Sequence, residues 1–342
     1  MIVYPHFYVM STSKKIFVIG AGAIGKVLAA LLTDKGQDVH LLRASTSDVK
    51  DLTEKIHVHI EGKRDITATV PVSSLKACNQ LDGLLVITSK SYGNPGVVEM
   101  LKSRIGNSPI VILQNGLAVE NIFLDTLPNN VYRCVLFATS QFSPSMELHF
   151  KPVSASLVGV ARGEENELKI IVQLLNSSLF PFEGEKDIQR VAWKKSIINC
   201  VFNSVCPLLE TDNGIFHRNP DALLLARTIV DQCVKVANLA NIQLTTDETI
   251  ERLLSISKFS DGQLISTYQD ILNGRETEID TLNLAVAAIA EQTGNSELVR
   301  ETRLLGELTR LKASIFRGRN NFTNVETVDR IAPVDSQKFQ SK

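Results

Sequence analysis

Three polar side chains set the chemical problem. Lys195, Asn199 and Asn203 recur every fourth residue inside an otherwise apolar stretch, 191–207. Apolar residues there repeat at helical spacing, and Pro207 predicts the end of the helix. At four-residue spacing an ammonium and two amides stack on one helix face. Ile197, Ile198, Val201, Phe202 and Val205 between them favour burial. A Lys and two Asn beside that much apolar surface are costly unless something polar faces them. Either the ladder is a solvated stripe, or it lines a cleft that holds a small polar ligand. A solvated stripe is usually richer in charge than in Asn, which favours the cleft.

The rest of the chain must supply the other wall of that cleft. Its 342 residues imply two domains, and 44% hydrophobic content is enough for two cores. The 36 Lys+Arg balance 37 Asp+Glu with no basic block, which argues against nucleic acid as a partner. Cys78, Cys134, Cys200, Cys206 and Cys233 form no C-x-x-C pair. An odd, scattered set predicts reduced thiols in the cytoplasm. His57 and His59 share a strand face with no Cys or third His nearby in sequence, so they read as structural rather than metal-binding. The apolar start, 1–10, is too short to span a bilayer and lacks the parts of a signal peptide, and Met10 could be the true start. No other run predicts a membrane span.

The first wall is legible. Residues 15–19 predict a short buried strand, followed by Gly20-Ala21-Gly22-Ala23-Ile24-Gly25 and a helix over 26–35 closed by Gly36. This is G-x-G-x-x-G between a strand and a helix, the context a dinucleotide pyrophosphate requires. The first glycine permits the turn, the second lets phosphate approach the backbone, and the third packs helix on strand. The helix N-terminus adds free N–H groups and a favourable dipole. A glycine turn used only for packing is the alternative. The second strand, 37–42, ends in Arg43-Ala44-Ser45 and shows no acid until Asp48. Arg43, with Ser45 or Thr46, would suit a 2′-phosphate, which favours NADP(H) over NAD(H). Otherwise Arg43 is a solvated strand-end charge.

Further strands are predicted at 56–60 and 66–70, paired through 61–64, then at 84–88, 109–113, 131–141 and 156–160, with a helix over 165–177. Strand ends in an open parallel sheet are where ligands bind. Lys90 and Asn115 follow two such ends; each is otherwise an ordinary loop residue. Beyond 186 only helical periodicity remains, over 188–206, 220–240, 247–257, 262–272, 278–292 and 296–315. A dinucleotide-binding domain over 14–185 and a helical domain over 186–316 are therefore expected, with tails at 1–13 and 317–342. Gly274 predicts a helix C-cap, and Thr277 with Asp280 a capping box for the next helix. Glu278 in that first turn is free to point elsewhere, or only complements the helix dipole.

In its motifs and their order the sequence resembles the ketopantoate reductase family. The residues concerned are Gly20-x-Gly22-x-x-Gly25, Gln114-Asn115-Gly116, Trp193-x-Lys195 with Asn199 and Asn203, Asn213-Gly214, Ser266-x-x-Gln269-Asp270, and Thr277-Glu278-Ile279-Asp280, within 14–316. The resemblance implies a Rossmann-type α/β domain followed by an all-α domain of the 6-phosphogluconate dehydrogenase C-terminal kind, with the active site between them. It implies reduction of a 2-keto acid, 2-dehydropantoate, by NADPH in pantothenate biosynthesis. Negative charge grows on the carbonyl oxygen as hydride arrives, and an ammonium can hold that charge and give up a proton. Lys195 matches the family's general acid, its pKa lowered by burial. Glu278 matches the residue that holds the substrate hydroxyl, and it could also fix Lys195. Asn199, Asn203 and Ser266 match substrate positions, and Asn115 one touching both nicotinamide ribose and substrate. Arg43 and Lys90 match adenosine-end contacts. A homodimer is compatible with this reading.

The sequence departs from the family at Gln263, Tyr268 and the stretch 140–149, which bears on substrate more than on reaction. A reductase of another 2-keto acid or small carbonyl compound is the alternative. A non-catalytic NADP(H)-binding sensor would require the loss of Lys195 and Glu278, which are both present.

Overall fold

A computed structural model describes residues 14–44, 52–143 and 147–323. Expectations placed on Ser45, Thr46 and Asp48, on 1–13, on part of the stretch 140–149 and on 324–342 lie outside the described residues.

The described strands are β1 (Ile16–Ile19), β2 (Val39–Arg43), β3 (Leu52–Ile60), β4 (Ile66–Ser74), β5 (Leu84–Ile87), β6 (Ile110–Ile112), β7 (Val131–Val135), β8 (Ala138–Phe142), β9 (Leu148–Pro152), β10 (Ser156–Arg162) and β11 (Phe182–Gly184). They form one sheet in the order β11-β10-β7-β6-β5-β1-β2-β4-β3-β9-β8. The centre from β7 to β4 is parallel. Its β1, β5 and β6 are short runs of Val, Ile, Leu and Phe buried along their whole length, as a sheet covered on both faces demands. The order reverses between β1 and β5, and that switch point is where such sheets bind ligands. Helices α1 (Ala23–Asp34), α2 (Asn94–Leu101), α3 (Asn121–Thr126) and α4 (Glu165–Leu175) accompany it.

After β11 every described element is helical. These are α5 (Ile188–Leu209), α6 (Ile215–Arg218), α7 (Pro220–Leu239), α8 (Thr246–Phe259), α9 (Ser266–Leu272), α10 (Asn283–Gln292) and α11 (Arg300–Thr323), with two 3₁₀ turns. Asn219 starts α7 by accepting from the N–H groups of Asp221 and Ala222 at 2.9 and 3.0 Å, with Pro220 behind it. The core here surrounds Ile197, Val201, Phe202, Phe216 and Cys233. The start of α5 packs the other way, Ile188 and Ala192 meeting Val135 of the sheet. α5 therefore belongs to both halves. The fold is a Rossmann-type α/β sheet followed by an all-α region.

Several boundaries depart from the sequence reading. The single strand expected over 131–141 is two strands, central β7 and outer-edge β8. The chain turns at Leu136 and Phe137, where the Phe137 carbonyl accepts from Val153 and Ser154 instead of continuing the ladder. α5 runs past Pro207 to Leu209, because a proline in the last turn forfeits one backbone bond without ending the helix. It ends at Glu210, in the left-handed region at φ 53°. The capping box at Thr277 and Asp280 does not form. Residues 279–281 make a 3₁₀ turn, α10 starts only at Asn283, and Asp280 meets Arg310 at 3.6 Å. Gly274 does cap α9, at φ 62°. Residues 317–323, expected in a tail, continue α11.

Candidate active site

The glycine turn is built as the motif requires. Gly20 sits at φ 124°, and its carbonyl accepts from the Thr88 hydroxyl at 2.9 Å, tying the turn to the end of β5. A Cβ on Gly25 would collide with that same carbonyl, so the third glycine is a packing requirement. A Cβ on Gly22 would meet nothing within 4 Å. Open space over the second glycine, at the N-cap of α1, is the fit a pyrophosphate needs. α1 begins at Ala23 rather than at 26, so Ile24 and Gly25 already belong to its first turn.

At the end of β2, Arg43 meets Glu54 of β3 at 3.3 Å, and Lys26 of α1 also pairs with Glu54. Sequence reading missed Glu54, because β3 reaches this corner only through the sheet order. Its carboxylate lies between two cations, so the corner is one where an anion sits.

The polar ladder resolves into two jobs. Lys195 Nζ donates to Asn115 Oδ1 at 3.0 Å and to the Leu136 carbonyl, and lies 5.5 Å from the centre of the Phe137 ring. The break between β7 and β8 is what frees the Leu136 carbonyl for this contact. Burial pushes the Lys195 pKa down, the nearby Arg133 guanidinium lowers it further, and the result is about 8. A cavity of about 10 Å³ beside it, room for one water, is lined by Asn115, Gly116, Arg133, Leu136 and Asn199. Asn203 is turned away from this space. Its Oδ1 accepts from the Thr267 backbone at 3.3 Å and from Ser266 Oγ at 3.4 Å, holding the start of α9. Asn203 thus positions Ser266.

Glu278 does not fix Lys195. It is buried and takes Lys90 Nζ at 3.0 Å, with Asp270 on the same ammonium at 3.3 Å. Lys90, expected near the adenosine end, instead bridges the end of β5 to the helical half. Burial disfavours its charge, but Glu278 and Asp270 together outweigh burial and raise its pKa. The two lysine regions join at Gly116. That residue adopts φ 102°, a Cβ there would collide with Thr281, and the Leu117 N–H donates to the Thr281 carbonyl at 2.7 Å. Asn115 is thereby locked to the turn that carries Glu278.

Arg133 was also missed. It is buried in β7, donating to the Gly116 carbonyl at 3.0 Å with Glu120 at 3.7 Å. A charged residue inside an apolar strand, Val131-Tyr132-Arg133-Cys134-Val135, was the signal that could have found it. The departures lie off the lysine cavity. The Tyr268 ring lies 5.9 Å from Lys312 Nζ, and Gln263 offers its carbonyl to the Asn213 N–H at 2.9 Å.

The sheet, its glycine turn and a lysine facing it from the helical half define a Rossmann-type oxidoreductase. Comparison with known proteins carries this further. The family profile described as Ketopantoate reductase PanE/ApbA matches residues 16–159, and that of Ketopantoate reductase PanE/ApbA C terminal matches 187–308. The chain belongs to the ketopantoate reductase family. It is 27% identical over 292 residues to the 2-dehydropantoate 2-reductase of Listeria monocytogenes, covering 81% of this chain and 91% of that one. With that of Streptococcus pyogenes serotype M1 it shares 23% over 304 residues, 88% of this chain and 98% of the other. Among solved structures, D-mandelate dehydrogenase with NADH and anilino(oxo)acetate superposes with TM-score 0.75 at 24% identity, covering 88% and 99%. No helix among the described residues is long and apolar enough to cross a membrane.

Proposed function

We propose that the protein reduces a 2-keto acid, 2-dehydropantoate, to the 2-hydroxy acid with NADPH, Lys195 acting as general acid. The observation that carries this reading is the enclosed Lys195, held by Asn115 and the Leu136 carbonyl, with its pKa brought to about 8. Such an ammonium is charged at neutral pH yet close enough to neutrality to release its proton. It can neutralise the oxygen that becomes the alcohol and then protonate it.

NADPH, when bound, supplies the hydride. Gly20, Gly22 and Gly25 would hold its pyrophosphate, and Arg43 with Lys26 its 2′-phosphate, in the corner Glu54 now fills. Asn115 fixes the direction of the Lys195 ammonium. Asn199 lines the same cavity, and Ser266, set by Asn203, offers its hydroxyl to the substrate carboxylate. Glu278 would receive the substrate hydroxyl, which requires Lys90 to release one of its two carboxylates. Asp270 keeps Lys90 charged during that exchange.

The similarity to D-mandelate dehydrogenase favours a second reading, in which the substrate is a 2-keto acid with another side chain. NADPH oxidation measured across 2-keto acids, 2-dehydropantoate and an aryl 2-keto acid among them, tests both. The first reading expects the highest kcat/KM with 2-dehydropantoate. A clear preference for the aryl acid replaces it with the second, and no turnover with any 2-keto acid removes both.

A further inference from the structure

The Lys195 cavity backs onto a larger one. The second has a volume of about 340 Å³ against about 10 Å³, and the two share Gly116, Arg133 and Ala192 as a common wall. Small-molecule sites begin at about 300 Å³, so this cavity is large enough to hold a ligand. Both halves of the chain build it. The sheet half supplies Leu117, Leu124 of α3 and Val160 of β10, and the helical half supplies Trp193 of α5 and Ile289 of α10.

Its polar groups are few and already balanced in charge. Glu120 and Arg133 are buried, with Oε2 and Nε 3.7 Å apart. Arg133 turns its Nη groups to the Ile112 and Gly116 carbonyls. Gln189 Nε2 donates to Glu120 Oε1 at 2.8 Å. A carboxylate only accepts, so Glu120 fixes which end of the Gln189 amide it meets, and the amide oxygen is left over. Four residues on, on the same face of α5, Trp193 carries an indole N–H. Neither Gln189 Oε1 nor Trp193 Nε1 has a hydrogen-bond partner among the described residues. One free acceptor and one free donor therefore stand together among apolar walls.

We propose that this cavity binds an uncharged, mainly apolar small molecule that carries a hydroxyl group. A hydroxyl donates and accepts at once, so it can donate to Gln189 Oε1 and accept from Trp193 Nε1. A carboxylate could use only the indole. It would also stand beside Glu120 and the Gln189 oxygen, desolvated and without a counter-ion of its own. The cavity thus selects against the acids that suit the Lys195 site. An occupant touches both halves, and it stabilises the folded chain by binding it.

Trp193 is the only tryptophan in the sequence, so its fluorescence reads the site directly. Cyclohexylmethanol is the probe, with its methyl ether and cyclohexanecarboxylate for comparison. The alcohol is expected to shift Trp193 emission saturably and to raise the melting temperature over the same concentrations. It should bind about three- to tenfold tighter than the ether, the worth of one neutral hydrogen bond, and the carboxylate should give no shift. Gln189→Met should bring alcohol and ether to equal affinity. Ala161→Leu and Ala240→Leu fill the cavity from β10 and from the end of α7. Each should weaken the alcohol by at least about tenfold and leave NADPH binding unchanged. Melting without the probe shows which variants fold, and either filling variant alone suffices. Lys195→Ala should leave the titration as it is. No saturable shift, equal wild-type affinity for alcohol and ether, or a response that survives filling overturns the proposal. So does a preference for the alcohol that persists in well-folded Gln189→Met. Carboxylate binding as tight as the alcohol's, or a response lost in Lys195→Ala, also overturns it by placing the ligand in the lysine cavity.

Discussion

Two lysines reach across the junction of sheet and helical half from opposite sides and are treated in opposite ways. Lys195, on the helical side, is enclosed with an amide, a carbonyl and an aromatic ring, and with Arg133 nearby. Lys90, on the sheet side, is given two carboxylates. Burial disfavours charge on both. With no carboxylate in contact among the described residues, burial and Arg133 prevail and the proton on Lys195 is loosened; with two carboxylates in contact the proton on Lys90 is tightened. The surroundings thus make an acid of one lysine and an anchor of the other.

The largest way to break this contrast is to remove each lysine in turn. Lys195→Ala is expected to lower kcat by about 10²–10⁴-fold, the usual cost of a lost proton donor, with NADPH affinity near normal. Lys90→Ala should keep kcat within about tenfold and act mainly on KM for the keto acid, because its contact is one of positioning. Single-turnover hydride transfer and melting on the same samples check both. Equal losses in kcat would erase the distinction between acid and anchor.

The cofactor corner sharpens the contrast next. Arg43→Ala should cost about 1.5–3 kcal/mol of NADPH binding, the range for a charge-assisted contact, and leave NADH use almost unchanged. Glu54→Gln should tighten NADPH by removing the competing carboxylate. Titration by nucleotide fluorescence measures both, and equal losses for the two nucleotides would show that Arg43 does not read a 2′-phosphate.

A third substitution strikes the hinge between the two lysine regions. Gly116→Ala places a side chain at positive φ and against Thr281, so it is expected to destabilise by about 1–3 kcal/mol. It should also loosen the Asn115 contact to Lys195, seen as a fall in kcat larger than the rise in KM. An unchanged melting temperature would show that the two regions are not locked there.

Sequence showed one side of this contrast well and the other poorly. The glycine turn and the Lys195, Asn199, Asn203 ladder are local patterns, set by strand, turn and helix periodicity within a few residues. The bridge from Lys90 to Asp270 and Glu278 spans some 180 residues and depends on how the helical half docks, which periodicity does not record. Asn203 shows a subtler failure. Its spacing placed it on the Lys195 face, but the side chain turns to the start of α9, where a buried amide satisfies a backbone N–H. The split of 131–141 into β7 and β8 was hidden because both segments look like strands. Only the sheet order shows that the break exposes the carbonyl that holds Lys195.

The most direct test is the pH dependence of single-turnover reduction. With Lys195 as the acid and its pKa at about 8, the reactive form is protonated below that value and lost above it. The rate of hydride transfer to the keto acid should therefore be flat from neutral pH and fall as pH rises through about 8, while alcohol oxidation rises over the same window. Lys90→Ala should keep that limb, and Lys195→Ala should lose it. A limb near 8 that persists in well-folded Lys195→Ala, or a wild-type rate flat to pH 10, would contradict Lys195 as the proton donor.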